Sequence, residues 1–303
     1  MRMLIFGANG MLGHKLIQEF SGKHDVFATC RRSKETQLLD LGIIEPHKVV
    51  SFDMHYQLFE TIRSCNPDVV INCIGIVKQL KDAKSPLKSV RVNSLFPHEL
   101  NETCGFLGIK LIHVSTDCVF NGKKTFYQRN NGDVYIDPMY NEESTPNPED
   151  LYGRSKLLGE VSDPPGITLR TSIIGRELKS TTGLIEWFLS QNGKMVKGFS
   201  RAYYTGFTTI EFAKVIDAAL KVPLEPGVYH ASADEITKYE LLKIVRDKFN
   251  LDIVIEKDEE FYCDRRLDSC KFRMLTSYQP PTWEQMIDEM ANDPTPYDEW
   301  RAR

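Results

Sequence analysis

The sequence predicts an α/β protein in which a doubly wound parallel sheet is followed by a smaller C-terminal substrate-binding lobe. Short apolar runs alternate with longer helical segments through the first half of the chain, and this alternation is typical of parallel strands joined by right-handed helical crossovers. A glycine-rich turn falls between the first predicted strand and the first predicted helix. The 303 residues suffice for one elaborated domain or for two unequal lobes.

The strands of the first half are compact runs rich in β-branched or aromatic residues, and Gly, Asn, Pro or Asp bounds them. The predicted strands are 3–6, 26–29, 49–52, 69–73 and 111–115. Helices fit between them at 11–20, 57–65 and 86–105. Strict alternation of the two kinds of element predicts a sheet that is covered by helices on both faces.

The second half is less regular. Polar residues and turn signals fill 119–150, which predicts a long functional or mobile loop. Predicted helices follow at 151–161, 183–191, 208–221, 238–249 and 283–291, with strands at 167–171, 195–198 and 228–231. We therefore expect a dinucleotide-binding domain over 1–165, and the remaining sheet elements with the smaller lobe over 166–303, the two lobes being interleaved.

Composition excludes several classes of protein. A net charge of -4 and a pI of about 6.0 give no overall basic field for nucleic acid. The seven cysteines form no C-x-x-C pair, which argues against a disulfide framework or a zinc site, and we expect no metal. No apolar run reaches membrane-spanning length, and the N-terminus has no signal-peptide pattern. We expect a soluble, cytoplasmic protein without a membrane partner.

The glycine-rich turn reads Gly7-x-x-Gly10-x-x-Gly13. Missing side chains allow a tight turn, close approach of a pyrophosphate and close packing of the helix, whose N-terminus presents free N–H groups to phosphate. This combination predicts a Rossmann-like nicotinamide dinucleotide site. The predicted cofactor contacts in the turn are Gly7, Asn9, Gly10, Met11, Leu12 and Gly13.

The end of the second predicted strand indicates which dinucleotide is preferred. A site that prefers NAD normally has an acidic residue there, but this chain has Arg31 and Arg32. Two guanidinium groups suit the 2′-phosphate of NADP, so NADPH is the expected cofactor and NADH remains possible. Asp53, after the third predicted strand, is either a contact to the adenine edge or a turn residue.

A proton-transfer site is predicted from Tyr152 and Lys156, which lie four residues apart and therefore on one face of a predicted helix. A neighbouring ammonium favours a phenolate and is expected to lower the pKa of the tyrosine. The preceding strand ends at Ser115-Thr116-Asp117, which places the Thr116 hydroxyl at the carboxyl edge of the sheet, beside the nicotinamide.

Together these residues resemble the extended branch of the short-chain dehydrogenase/reductase superfamily, which combines G-x-x-G-x-x-G, a Ser or Thr, and Y-x-x-x-K. The resemblance implies that Thr116 hydrogen-bonds the substrate oxygen and that Tyr152 exchanges the proton. It also implies that Lys156 holds the ribose and tunes Tyr152. Three further cofactor-supporting positions are implied by the same resemblance, namely Cys73, Gly75 and Asn93.

Within that branch, the segment from Ser115 to Gly122 resembles the S-T-D-Y-V-F-x-G segment of dTDP-4-dehydrorhamnose reductases. The resemblance implies transfer of hydride from NADPH to the C4 ketone of a nucleotide-linked 6-deoxysugar, and it makes a homodimer plausible. Cys118 stands where that family has a tyrosine. The identity of the sugar therefore stays open.

The substrate itself is expected to contact residues from both halves. Asp117 and Cys118 follow the threonine directly, and the diphosphate of a nucleotide sugar needs cations such as Arg201 and Arg265. For each arginine, a solvated surface position is the alternative interpretation.

Cys118 and the surrounding motif also bear on three alternative functions. Related dehydratases carry Thr-Asp-Glu, and Cys118 in the glutamate's place argues against dehydration. GDP-fucose synthases, which epimerise before they reduce, carry a cysteine that aligns with Cys118, but their partner histidine has no counterpart between Lys156 and His230. The third alternative is a non-catalytic regulatory subunit of methionine adenosyltransferase, because a fold alone does not establish activity.

Overall fold

A computed structural model describes residues 1–31, 37–40, 42–52, 57–124, 126–128, 134–136, 138–179 and 181–301. Two predicted cofactor contacts, Arg32 and Asp53, lie outside the described residues. Among the described helices, none is both long and apolar enough to cross a membrane.

The bounds of the elements are as follows. The strands are β1 Arg2–Phe6, β2 Asp25–Cys30, β3 Val49–Ser51, β4 Val69–Asn72, β5 Lys110–Thr116, β6 Phe126–Gln128, β7 Val134–Ile136, β8 Gly166–Thr171, β9 Ile173–Ile174, β10 Met195–Tyr204, β11 Phe207–Thr208, β12 Gly227–His230, β13 Ile236–Thr237 and β14 Val254–Asp264. The α-helices are α1 Met11–Ser21, α2 Gln37–Asp40, α3 Leu58–Cys65, α4 Pro86–Ser89, α5 Phe96–Leu107, α6 Leu151–Leu157, α7 Leu184–Leu189, α8 Thr209–Leu220, α9 Lys238–Lys248, α10 Cys270–Thr276, α11 Trp283–Ala291 and α12 Tyr297–Arg301.

Seven parallel strands form the central sheet in the order β12-β8-β5-β4-β1-β2-β3. The chain passes from β1 outward to β2 and β3, and then returns to place β4 on the other side of β1. Crevices at such a reversal, outside the carboxyl ends of the strands, are where doubly wound sheets bind ligands. The predicted doubly wound α/β class is confirmed.

Both faces of the sheet are covered, because successive side chains of a strand point to opposite sides. On β1, Met3 and Ile5 enter the core beneath α1 and α8, together with Leu16, whereas Leu4 and Phe6 enter a second core beneath α3 and α5. This two-sided burial explains why the strands of the first half read as continuous apolar runs.

The smaller lobe differs most from the sequence prediction. Its sheet has the order β13-β10-β14, with β10 and β14 parallel over most of their length. Strand β10 continues to Tyr204, six residues beyond the predicted end, and β14 was not predicted. Most side chains of β14 are exposed or half-buried and many are charged, so the strand lacks the apolar alternation by which strands are recognised.

Candidate active site

The glycine turn connects β1 to α1 at the sheet's carboxyl edge. Gly7 adopts a φ of +84°, and a Cβ there would lie 3.0 Å from the carbonyl carbon of Cys73, the residue after β4. A Cβ on Gly13 would lie 2.2 Å from the Gly7 carbonyl oxygen. Gly10 is the N-cap of α1. The turn therefore needs glycine for its conformation and for its close contacts, and it presents a helix N-terminus beside β4.

The remaining predicted contacts of the turn lie nearby. Asn9 and Met11 are half-buried, whereas Leu12 is buried in the core, so only its backbone faces the turn. Arg31 directly follows β2 and is exposed. The Ala8 amide donates a hydrogen bond to the Thr29 carbonyl at 3.4 Å, so this arginine and the glycine turn share one edge of the sheet.

Asn93 joins the cofactor side of the site to the helix that carries Tyr152. It lies in a π-helical stretch, Val90–Leu95, and is completely buried. Its Oδ1 accepts from the Ile76 amide at 2.8 Å, and its Nδ2 donates to the Ile76 carbonyl and to Ser155 Oγ, both at 3.0 Å. A Cβ on Gly75 would lie 3.6 Å from Asn93 Oδ1. Asn93 thus fixes the segment after β4 against α6.

Helix α6 begins against the turn that follows β5. Asp150 is its N-cap and accepts from the Gly153 amide at 2.7 Å. A Cβ on Gly153 would lie 2.3 Å from the Cys118 carbonyl oxygen, so glycine permits this close approach. The approach brings Tyr152 into hydrogen-bonding contact with Thr116.

Lys156 lies one helical turn further on and is buried. Its Nζ donates to the Val114 carbonyl at 2.8 Å and lies 3.4 Å from His113 Nε2, while Asn72 Nδ2 lies 3.0 Å from His113 Nδ1. Burial lowers the pKa of Lys156 to about 8, although Glu160 partly opposes the shift. The ammonium group of Lys156 is therefore held by two neutral groups, the Val114 carbonyl and the His113 ring.

The pKa of Tyr152 differs from the sequence expectation. Burial raises it, Cys118 adds to the increase, and the hydrogen bond from Thr116 only partly opposes it. The predicted lowering of this pKa is therefore wrong for this structure, because burial is the largest influence on the phenol and disfavours its charged form. Tyr152 is in its proton-donating form at neutral pH.

The residues after Thr116 form the substrate side. Asp117 is buried, and burial raises the pKa of its carboxyl against the opposing charge of Arg265. Arg265 Nη1 donates to Cys118 Sγ at 3.4 Å, and its Nε donates to the Phe120 carbonyl at 2.8 Å. Burial, with Asp117, raises the pKa of Cys118 to about 12. Cys118 is consequently a thiol and not a reactive thiolate.

The two remaining C-terminal candidates have other surroundings. Arg201 is exposed on β10, on the face opposite Ala202 and Tyr204, with its guanidinium 5.2 Å from the Tyr262 ring centre. No contact within the described part of the chain joins it to Thr116. Arg265 is thus the arginine of the predicted pair that the structure brings to the site.

One residue of the site, Lys238, was not found from the sequence. It is the first residue of α9 and faces Asp117 and Cys118, and its Nζ lies 5.4 Å from the ring centre of Tyr204 at the end of β10. Only the tertiary fold brings Lys238 to the end of β5, so the local sequence carries no signal for it. Within the described ranges, no group of three or more His, Cys, Asp or Glu side chains is arranged to hold a metal.

Comparison with known proteins agrees with this geometry. The chain is 27% identical over 248 residues to a dTDP-4-dehydrorhamnose reductase from Mycolicibacterium smegmatis, which covers 76% of this chain and 64% of that relative. It is 26% identical over 264 residues to a methionine adenosyltransferase 2 subunit beta from Xenopus tropicalis, with 82% and 72% covered. A crystal structure of dTDP-4-dehydrorhamnose reductase from Bacillus anthracis, in complex with NADP, superposes with a TM-score of 0.74 at 18% identity, covering 95% of this chain and 98% of that one.

The sheet order, the glycine turn and the grouping of Thr116 with Tyr152 and Lys156 define an extended short-chain dehydrogenase/reductase. Within that class, the chain belongs to the RmlD substrate binding domain family, whose model matches residues 1–295.

Proposed function

We propose that this protein is an NADPH-dependent reductase that acts on the C4 ketone of a nucleotide-linked 6-deoxy-4-ketosugar. The observation that carries the proposal is the contact of Tyr152 at the start of α6 with Thr116 at the end of β5, with the buried Lys156 one turn further along α6 and bonded to the Val114 carbonyl of β5. The names of the relatives support the same substrate class.

The residues present fit a nicotinamide dinucleotide. The turn from Gly7 to Gly13 leaves a cradle that side chains would fill, next to the N-terminus of α1, where pyrophosphate binds favourably. Arg31 is exposed on the same edge, where its guanidinium can pair with a 2′-phosphate. NADPH, when bound, supplies the hydride.

The chain's own residues handle the proton. Thr116 and Tyr152 together hydrogen-bond the ketone oxygen, and Tyr152 donates its proton to that oxygen as negative charge develops. The charge of Lys156 stabilises the phenolate that remains. Buried Asn93 keeps α6, and with it Tyr152, in register with the cofactor side.

The first prediction tests this chemistry directly. Purified protein should oxidise NADPH when given a dTDP-4-keto-6-deoxyhexose, and Tyr152→Phe should reduce turnover by about 10²–10⁴-fold because the general acid is lost. NADPH binding, measured by fluorescence titration, should stay near the wild-type value. The absence of NADPH oxidation with every nucleotide-linked 4-ketosugar tried would refute the reductase assignment.

The second prediction concerns cofactor choice. Replacing Arg31 and Arg32 with alanine should reduce the ratio of kcat/KM for NADPH to that for NADH by at least about tenfold, because charge-assisted bonds to the 2′-phosphate are lost. Arg154→Ala is a matched control, because this exposed arginine lies on α6. An unchanged ratio in the double variant contradicts the assignment of NADP preference to this strand end.

The similarity to the methionine adenosyltransferase subunit makes a non-catalytic role the alternative that experiment has to separate from ketone reduction. In that case the fold would serve a partner subunit and the catalytic groups would be dispensable. The two functions are separated by one comparison, because Tyr152→Phe would leave the activity of a copurifying synthetase unchanged but would abolish ketone reduction.

A further inference from the structure

Buried and half-buried arginines in this protein normally have carboxylate partners. Arg170 is paired with Glu160 at 2.7 Å, and Arg176 is paired with Glu186 at 2.7 Å. Such pairing is expected, because a cation that leaves water without a counter-charge loses several kcal/mol of solvation. Two cations beside Thr116 do not follow this pattern.

Arg265 is the first of them. Its hydrogen bonds go to uncharged acceptors: the Phe120 carbonyl at 2.8 Å, Cys118 Sγ at 3.4 Å and the Asn121 carbonyl at 3.5 Å. No carboxylate of the described chain lies within ion-pair distance of its guanidinium. Its immediate neighbour Arg266 is different, because it is paired with the buried Asp264 at 2.7 Å.

Lys238 is the second. Its Nζ lies 5.4 Å from the Tyr204 ring centre, and within the described ranges it has neither a hydrogen-bond acceptor nor an ion pair. Burial lowers the pKa of Lys238, Asp117 and Cys118 oppose that shift, and Arg265 adds to it. Lys238 and Arg265 therefore face the same group of residues from different elements, the start of α9 and the segment after β14.

The balance of charge at this position is positive. Two cations adjoin the buried carboxyl of Asp117, and burial raises the pKa of that carboxyl. The carboxylate of Asp150 also acts on Arg265, but it is already paired with Lys78 at 2.7 Å. A half-buried excess of positive charge costs stability unless an anion balances it. An anionic oxygen group of the substrate is the partner that restores the balance.

We propose that Lys238 and Arg265 form an anion-binding site in the substrate pocket, beside Asp117 and Cys118. This inference rests on the proposed function for the identity of the substrate. The anion is either the diphosphate of the nucleotide sugar or a carboxylate on its sugar ring, since both offer charged oxygens to a lysine and an arginine.

The site is tested by calorimetric titration of inorganic pyrophosphate and of glucuronate into protein saturated with NADP⁺. Lys238→Met keeps the length of the side chain and removes its charge. Lys243→Met is the matched control, since this exposed lysine of the same helix lies 5.5 Å from the Tyr239 ring centre. Lys238→Arg retains the charge, and Arg265→Gln provides an independent variant.

At least one of the two anions should bind, and Lys238→Met and Arg265→Gln should each weaken its binding by at least about tenfold. Lys243→Met and Lys238→Arg should bind it within about twofold of wild type. If the neutral variants lose affinity for pyrophosphate alone, the diphosphate is the ligand. If they lose affinity for glucuronate alone, the ligand is a sugar carboxylate. Loss of both supports a general anion site.

The proposal is overturned if neither anion binds the wild-type protein, or if both neutral variants bind as the wild type does. Because the readout is a difference between variants, anions bound at the glycine turn do not affect it. The titration requires no turnover, so failure of ketone reduction and failure of anion binding are distinguishable outcomes. Circular dichroism of each variant establishes that it is folded.

Discussion

At the scale of single residues, Tyr152 and Lys156 have pKa values that burial shifts in opposite directions. The pKa of Tyr152 is raised, so the phenol keeps its proton throughout the neutral range. The pKa of Lys156 is lowered to about 8, so its charge is lost within reach of ordinary assay conditions. Burial disfavours the charged form of each group, which explains both directions. Of the two, the lysine is therefore the group whose titration we expect to limit the proposed reduction near neutral pH.

The third prediction is a pH profile. Reduction needs a protonated Tyr152 and a charged Lys156, and only the second condition fails as pH rises through about 8. The kcat/KM for ketone reduction should therefore be level below this pH and should fall by about tenfold per pH unit above it. In Lys156→Arg the guanidinium stays charged, so the alkaline limb should move upward even if the maximum rate is lower. If kcat/KM falls at the same alkaline pH in the wild type and in Lys156→Arg, a group other than Lys156 is responsible for the decrease.

At the scale of elements, the approach of α1 to β1 depends on Gly13. The Cβ position at this residue lies 2.2 Å from the Gly7 carbonyl oxygen and 2.9 Å from Ala8 Cα, and backbone atoms cannot rotate away as a side chain can. The same contact fixes the start of α1 against the turn that follows β1. The packing of α1 on β1 therefore depends on the absence of a side chain at Gly13.

The fourth prediction compares two glycines of α1. Gly13→Ala should lower the free energy of unfolding by about 1–3 kcal/mol, because the added methyl group overpacks against backbone. Gly22→Ala at the C-cap should leave it unchanged or raise it by about 0.5 kcal/mol, since its φ is -78° and nothing lies within 4 Å of the new Cβ. Urea unfolding measures both. Equal effects of the two substitutions would contradict the close-contact argument.

At the scale of the whole molecule, the C-terminal segment 293–297 packs against helix α1 through an ion pair and a hydrogen bond. Lys15 on α1 forms an ion pair with Asp293 at 2.5 Å, and both side chains are almost completely buried, at 4% and 6% exposure. His14 Nε2 lies 2.9 Å from the Tyr297 hydroxyl in the same region. Residues nearly 280 positions apart therefore support the helix that begins at the glycine turn.

The fifth prediction is the loss of stability when the ion pair between Lys15 and Asp293 is removed. Asp293→Ala should lower the free energy of unfolding by about 3–5 kcal/mol, because it leaves Lys15 buried without a counter-charge. Asp288→Ala is the control: its pair with Lys248 is short, at 2.6 Å, but half-exposed, so its loss should cost less than about 1 kcal/mol. A small effect at Asp293 would mean that water or a neighbouring group compensates Lys15.

Much of the fold follows from local pattern. The strands around β1, β4 and β5 were predicted within one or two residues, because burial on both faces makes each a continuous apolar run. Strand β14 was missed, because its mostly exposed, charged side chains carry no period-two signal. Helix α6 ends at Leu157, four residues before the predicted end at 161. Just beyond this end, Gly159 packs so closely on the backbone of Asn93 that a Cβ would lie 1.8 Å from the Asn93 carbonyl oxygen, a contact that the local sequence does not reveal.

The sequence by itself determined the class of sheet, the glycine turn and the placement of Tyr152 and Lys156 on one helix, because each depends on spacing within one or two adjacent elements. The tertiary structure alone decided the surroundings of these groups. It brought Lys238 and Arg265 to Asp117 from the far end of the chain, and it raised the pKa of Tyr152 where spacing predicted a decrease. The physical reason is that burial and charge balance depend on everything packed around a group, and most of those neighbours are remote in sequence.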